Sequence, residues 1–316
     1  MPRARFSSCL ALGLIFWMAL SCTVDKAIEG QSRWFYRAMA SQSFRIPVLD
    51  HDTLGVLHTG EGQDTIVFIH GFGPYPRVQW QPMVWGFGDT KSMYIVDLLA
   101  FGESTSPDSL IHIDHQSEAI VAALDSLGVG TYGLVGHSYG GLVAAYVAGA
   151  YPERIQSLVL IDPLNRYFDL ATLDSLEEAM GRPIEEVLLP ADLESFDLMQ
   201  VLSLKDPLYV PEFVKQRAID NIYAENVVQR QGLLHAIEKD APNLVTTLAG
   251  YSGPTLLLWG REDAIFPVKN GERMLSDYPD GTLKIIEKSG HTPHMERPFE
   301  VLEELKSFYL SVLREK

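Results

Sequence analysis

A chain of 316 residues with 47% hydrophobic and 10% aromatic composition is long and apolar enough to bury a large core, which excludes a disordered protein. Its 41 acidic against 25 basic residues leave a net charge of −16, and such a field repels polyanions, so no nucleic-acid partner is expected. The two cysteines, Cys9 and Cys22, both stand near the N-terminus, so no disulfide is expected within the folded domain.

The N-terminus reads apart from the rest. Two arginines in "MPRARFSS" precede the apolar run "CLALGLIFWMAL", and "SC" follows. A basic start, a short apolar stretch and small residues beside a cleavage point are the pattern of a secretory signal, here residues 1–21. The run is shorter than the ~20 residues of a membrane-spanning helix. "MALSC" resembles a bacterial lipobox, which would make Cys22 a lipidated anchor at the cell envelope. Ala19 and Leu20 depart from that pattern. Ordinary cleavage, giving a periplasmic or secreted protein, and an uncleaved anchor stand as alternatives. Residues 22–43 read as a tether and lead-in.

From residue 44 to 162, strand-like runs alternate with helical patterns. "FRIPVLD" and "GVLHTG" form two short strands around a turn. "DTIVFIHG", "KSMYIVDLLAFGES", "TYGLVGHS" and "IQSLVLIDP" are nearly continuous apolar runs, as strands covered on both faces require. Between the second and third of these, Ile113, Ile120, Val121 and Leu124 share one helix face, and Gly128 ends the helix. Strand–helix alternation predicts a mostly parallel sheet with helices on both faces, an α/β fold.

The rhythm breaks over residues 163–240, which read as helices separated by prolines, the last from "PEFVK" to "LLHAI". This stretch holds 15 acidic and 7 basic residues, so half the chain's net charge sits in a quarter of its length. Solvated helix faces account for most of these acids. Strands "TLLLWG" and "TLKII" and a closing helix from Pro298 resume the pattern over 241–316. The expected organisation is therefore a sheet domain of about eight strands, split by a helical cap after the sixth.

Three positions then line up in chain order. Ser138 sits in "GHSYGG" after the third buried strand, Asp263 after "TLLLWG", and His291 after "LKIIEKSG". A bare G-x-S-x-G would arise by chance in about a tenth of chains this long, with glycine at about 7% of residues. The three positions together, each just past the carboxyl end of a strand, are much more specific. An alcohol needs a base to become a nucleophile near neutral pH; His291 supplies one, and Asp263 fixes its tautomer.

These features resemble the α/β-hydrolase superfamily, in its capped branch. "FIHGFG" is similar to that family's oxyanion loop, "VDLLAFGES" to its D-x-x-G-x-G-x-S segment with Ala100 in place of a glycine, "LWGREDAIFP" to its acid loop, and "SGHTPHMERP" to its histidine loop. The resemblance implies Ser138 as nucleophile, His291 as base, Asp263 as acid, and the amides of Phe72 and Tyr139 as the oxyanion hole. It also implies a serine hydrolase of a small or medium, largely apolar carboxylic ester, working through an acyl-enzyme on a small-molecule substrate. No cofactor or metal is expected. Peptidase or amidase, thioesterase, carbon–carbon bond hydrolase, acyltransferase and perhydrolase chemistry use the same triad and stay open, as does a ligand-binding sensor with little turnover.

Several neighbours compete for roles. Asp162, ending "LVLID", is the alternative acid, because some members carry theirs there. His294 is the alternative base and is otherwise read as a loop residue near the entrance. His70 and His137 are read as structural, Asp97 as a brace of its own loop, and Glu103 and Ser104 as supports of the oxyanion loop. Glu262 is expected to point away from Asp263. Trp80, Trp85, Phe87 and Phe101 are read as core rather than pocket.

Overall fold

The computed structural model describes residues 24–49, 51–168, 170–240 and 251–314. The signal segment and Cys22 lie outside them. The first described element differs from the tether expected over 22–43: helix α1, Val24–Ala38, occupies most of it. Ala27, Ile28, Gln31, Phe35 and Tyr36 recur at helical spacing, and Ala27 and Tyr36 are buried. The Tyr36 hydroxyl donates to the carbonyl of Arg77, and Gln31 bonds Gln81, which fasten the helix to the core.

Eight strands form one sheet: β1 Gln42–Val48, β2 Asp52–Thr59, β3 Thr65–Ile69, β4 Ser92–Asp97, β5 Tyr132–His137, β6 Ile155–Ile161, β7 Thr255–Gly260 and β8 Gly281–Ile286. Their spatial order is β1-β2-β4-β3-β5-β6-β7-β8. The first two pairings, β1 with β2 and β2 with β4, are antiparallel, and the rest are parallel. Helices α2 (Gln81–Phe87), α3 (Ile113–Ser126) and α4 (Tyr139–Ala150) fall between the early strands.

The apolar runs alternate between two cores. Val67, Ile69, Leu134, Leu158, Leu160 and Leu257 face one side, with Ala144, Val147 and Ala148 of α4. Ile66, Phe68, Val135, Val159, Ile161 and Leu258 face the other, with Trp80, Val84, Leu302 and Leu305. Each fully buried aliphatic or aromatic side chain contributes roughly 1.5–3 kcal/mol of transfer free energy, so these central strands anchor the domain.

Between β6 and β7 the described chain is helical: α5 Leu170–Met180, α6 Ile184–Leu188, α7 Leu193–Ser203, α8 Glu212–Ala218 and α9 Val227–Asp240. Asp192 caps α7 with a reciprocal bond to Ser195. The long helix expected from "PEFVK" onward is two helices. A π turn at Ile219–Tyr223 and Asn226 at φ 51° separate them, and asparagine tolerates that left-handed conformation better than most residues. Helices α10 (Val268–Met274), α11 (Pro293–Glu296) and α12 (Pro298–Arg314) complete the chain. Among the described residues no helix is long and apolar enough to cross a membrane.

Candidate active site

Strands β5, β6 and β7 end side by side, so the loops that follow them meet at one edge of the sheet. Ser138 stands between β5 and α4 with φ 53° and ψ −122°, a conformation that non-glycine residues rarely adopt. The turn is possible because its neighbours have no side chain. A Cβ on Gly136 would meet the Gly140 carbonyl oxygen at 2.3 Å, and one on Gly140 would meet the His70 carbonyl oxygen at 2.2 Å. The strain lifts the half-buried Ser138 hydroxyl clear of the strand.

The hydroxyl lies 2.9 Å from His291 Nε2, and His291 Nδ1 lies 2.8 Å from Asp263 Oδ2. The other Asp263 oxygen accepts the amides of Ile265 (2.8 Å) and Phe266 (3.0 Å), which fixes the carboxylate at the start of its loop. Asp263 and His291 are both buried. With its Nδ1–H directed at a carboxylate, the imidazole presents an unprotonated Nε2 to the serine.

Phe72 and Tyr139 flank the nucleophile. Tyr139 is the first residue of α4, at its positive end. The backbone leading to Phe72 passes close by: a Cβ on Gly71 would fall 3.0 Å from Ser138 Cβ and 2.7 Å from His137 Nδ1. His70 braces this loop, with its Nδ1 2.7 Å from the Gly71 carbonyl and its Nε2 accepting the Leu98 amide at 2.9 Å. Phe101 packs edge-on against both His70 and Phe72.

Asp97 accepts from the Glu103 amide and the Arg77 guanidinium, while Ser104 donates to the Asp97 carbonyl and accepts the Gly55 amide. Glu103 pairs with Arg77. Glu262 turns from the site, accepting the Ser289 amide at 3.1 Å and pairing with Lys205. His137 donates Nε2–H to the His291 carbonyl at 2.8 Å, which holds the backbone of that histidine.

Two readings need correction. His294 is not an entrance residue: it is fully buried, stacked on Trp80 at 4.9 Å, with Nε2 3.2 Å from Gln79. Trp80 takes its hydrophobic partner from that ring, so burial outweighs the polarity of the imidazole. Trp85 is not core; it is 58% exposed, edge-on to Phe299.

Burial keeps the supporting histidines uncharged. It holds His70 and His294 down to about 3 and His137 well below its ordinary value; repulsion from His294 and then His291 adds to burial at His137, and repulsion from His291 adds to it at His294. Asp162 lies beside Asp263 rather than in contact with Nδ1, and one ligand-type atom each from Asp162, Asp263 and His291 falls within 4.8 Å of the others. Asp263 and His291 already bond each other, and Asp263 also accepts the loop amides.

Three supporting residues carried no motif of their own. Gln79 lies 3.2 Å from both His137 and His294. Glu296 accepts the Gly290 amide with one oxygen and the Lys205 amide with the other, tying the histidine loop to the segment after α7. Arg230 of α9 is buried over the Phe101 ring, donating to the carbonyls of Ala100 and Ile222.

A strained serine turn, a histidine–aspartate pair and a mostly parallel eight-stranded sheet define the α/β-hydrolase class. Residues 64–298 match the model of the alpha/beta hydrolase fold, so the chain belongs to that family and is a hydrolase. It is similar to the human monoacylglycerol lipase ABHD6, 25% identical over 96% of this chain and 93% of that protein. It is also similar to a crystal structure of a membrane phospholipase A, a bacterial virulence factor, with TM-score 0.79, 25% identity and 98% coverage of both chains. A third match is the biotin biosynthesis bifunctional protein BioHC of Teredinibacter turnerae, 27% identical over 78% of this chain; it spans only 44% of that longer protein.

Proposed function

We propose that this protein is a serine hydrolase of carboxylic esters with an apolar acyl chain, working through an acyl-enzyme. The carrying observation is the continuous relay from Ser138 Oγ through His291 to Asp263, at 2.9 and 2.8 Å. Ser138 attacks the ester carbonyl and passes its proton to Nε2. Asp263 stabilises the imidazolium that forms. The amides of Phe72 and Tyr139 receive the oxyanion, and His291 returns the proton to the departing alcohol. Water then repeats the sequence on the acyl-enzyme. No cofactor enters these steps.

The apolar residues that the cap and the oxyanion loop turn toward the core support an apolar acyl part. Phe72, Leu198, Met199 and Ile237 are only partly buried and pack against the core cluster that contains Tyr139. The monoacylglycerol lipase and phospholipase A among the relatives support a lipid ester. A fluorophosphonate probe is expected to label Ser138. Across esters of increasing acyl length, turnover should favour apolar chains and vanish in Ser138→Ala. Unlabelled folded protein, with full turnover in that variant, would refute the reading.

The same reading places the enzyme at a membrane of the cell envelope, through a lipidated Cys22. Helix α1, which follows the apolar N-terminal run, packs against α8. Beside and within α8, Leu208, Tyr209 and Phe213 are 67%, 92% and 66% exposed, an apolar cluster suited to an interface rich in lipid.

A further inference from the structure

We infer that the acid of the triad is a pair of carboxyls, Asp162 and Asp263, that share one proton, with Asp162 acting as a positioning residue for Asp263 and as a second acid within reach of His291. This rests on the triad reading above and extends it to a residue outside the relay.

The geometry is specific. Asp162 follows the last residue of β6 with φ 41°, a conformation that costs energy in any residue with a side chain. Its amide donates to the Leu258 carbonyl at 3.0 Å, and its Oδ1 accepts the Gly260 amide at 2.9 Å, so both bonds lock it against β7 just before the acid loop. The side chain is fully buried, its Oδ2 has no hydrogen-bond partner, and one of its carboxyl oxygens lies within 4.8 Å of one from Asp263. A buried carboxylate in that position, beside a second one, would carry uncompensated charge.

Protonation removes the conflict. The groups around Asp162 are Asp263, His291 and, farther off, Glu296. Burial, followed by the neighbouring Asp263, pushes the Asp162 carboxyl well above the usual carboxylate range. Asp162 Oδ2–H then donates to Asp263, and the pair carries a single negative charge, as closely spaced carboxyls do. The proton can lie on either partner, with no other bond made or broken. Removing Asp263 leaves Asp162 free to ionise near Nδ1 of His291.

A double-mutant cycle tests this. Asp162→Asn keeps a donor to Asp263 and is expected to lower kcat by less than about tenfold. Asp263→Ala is expected to cost about 10²-fold, because Asp162 takes over. The double variant is expected to fall by about 10⁴-fold, the scale of losing a triad acid outright. If Asp263→Ala alone falls by about 10⁴-fold and Asp162→Asn adds nothing to it, the shared pair is wrong. Infrared spectroscopy of the unmutated protein decides the matter even if Asp263→Ala fails to fold. A protonated buried carboxyl band is expected near neutral pH and should be missing from Asp162→Asn; its absence from the unmutated protein overturns the proposal. Full activity in Ser138→Ala would instead defeat the triad reading, whatever the band shows.

Discussion

His70, His137 and His294 stand behind the relay and hold it in place through neutral rings. His137 fixes the His291 backbone, His70 braces the loop that carries Phe72, and His294 fills the space over Trp80. Their neutrality has a thermodynamic cost in acid. All three bind protons less tightly when folded than when unfolded. Their contribution is therefore complete above the unfolded value of about 6.5 and is lost as pH falls through the folded values, about 3 for His70 and His294. Each such group lowers stability by about 1.4 kcal/mol per pH unit across that window. His294→Asn, which cannot titrate, is expected to show a shallower fall in unfolding free energy between about pH 6 and pH 4, whatever its stability near neutrality, as read by urea denaturation. Equal slopes in the two proteins would show that His294 charges without penalty. Ser138, Asp263 and His291 were legible in the sequence because each lies in a short segment tied to a strand end. The burial of His294 was not, because its partner Trp80 is more than two hundred residues away in the chain.

At the scale of elements, the buried strands were read correctly because their apolar runs are short, rich in β-branched residues and bounded by turn residues. The cap was harder. Its helices take their positions from contacts with the core, and those contacts leave no local pattern. Arg230 shows how α9 is held: one hydrogen bond reaches the core at Ala100, one stays in the cap at Ile222, and the guanidinium lies 4.9 Å from the Phe101 ring centre. Arg230→Met retains the apolar stem and removes both donors. The variant is expected to lose about 1–3 kcal/mol of stability and to be cleaved faster near the exposed Tyr209 and Phe213 in limited proteolysis. Unchanged unfolding and proteolysis would mean that the cap is held elsewhere, with the Glu296 bonds to Gly290 and Lys205 the next point to test.

For the molecule as a whole, the proposed anchor and the cap lie on one path along the chain. Cys22 stands two residues before α1, and α1 packs against α8 of the cap. An anchor at that point would hold the cap near a lipid surface, where the proposed ester substrate would be met. Cys22→Ser, produced in a bacterium that processes lipoproteins, is expected to move the enzyme from the membrane fraction to the soluble fraction with its turnover of a soluble ester intact. An unchanged distribution would exclude a lipid on that cysteine. The helix within 24–38 was not anticipated. Its polar residues resemble those of a linker, and only its burial against the rest of the molecule makes the helix worth forming.

The sequence by itself determined the fold class, the chain order of the sheet segments and which three residues to seek at their ends. All of these rest on local patterns: apolar runs, glycines beside a serine, and loops that follow strands. The tertiary structure alone decided that Asp162 lies beside Asp263, that His294 is buried, and that Arg230 and Glu296 join cap to core. Those facts are distances between residues far apart in the chain, and one buried polar atom gains its meaning only from the atom opposite.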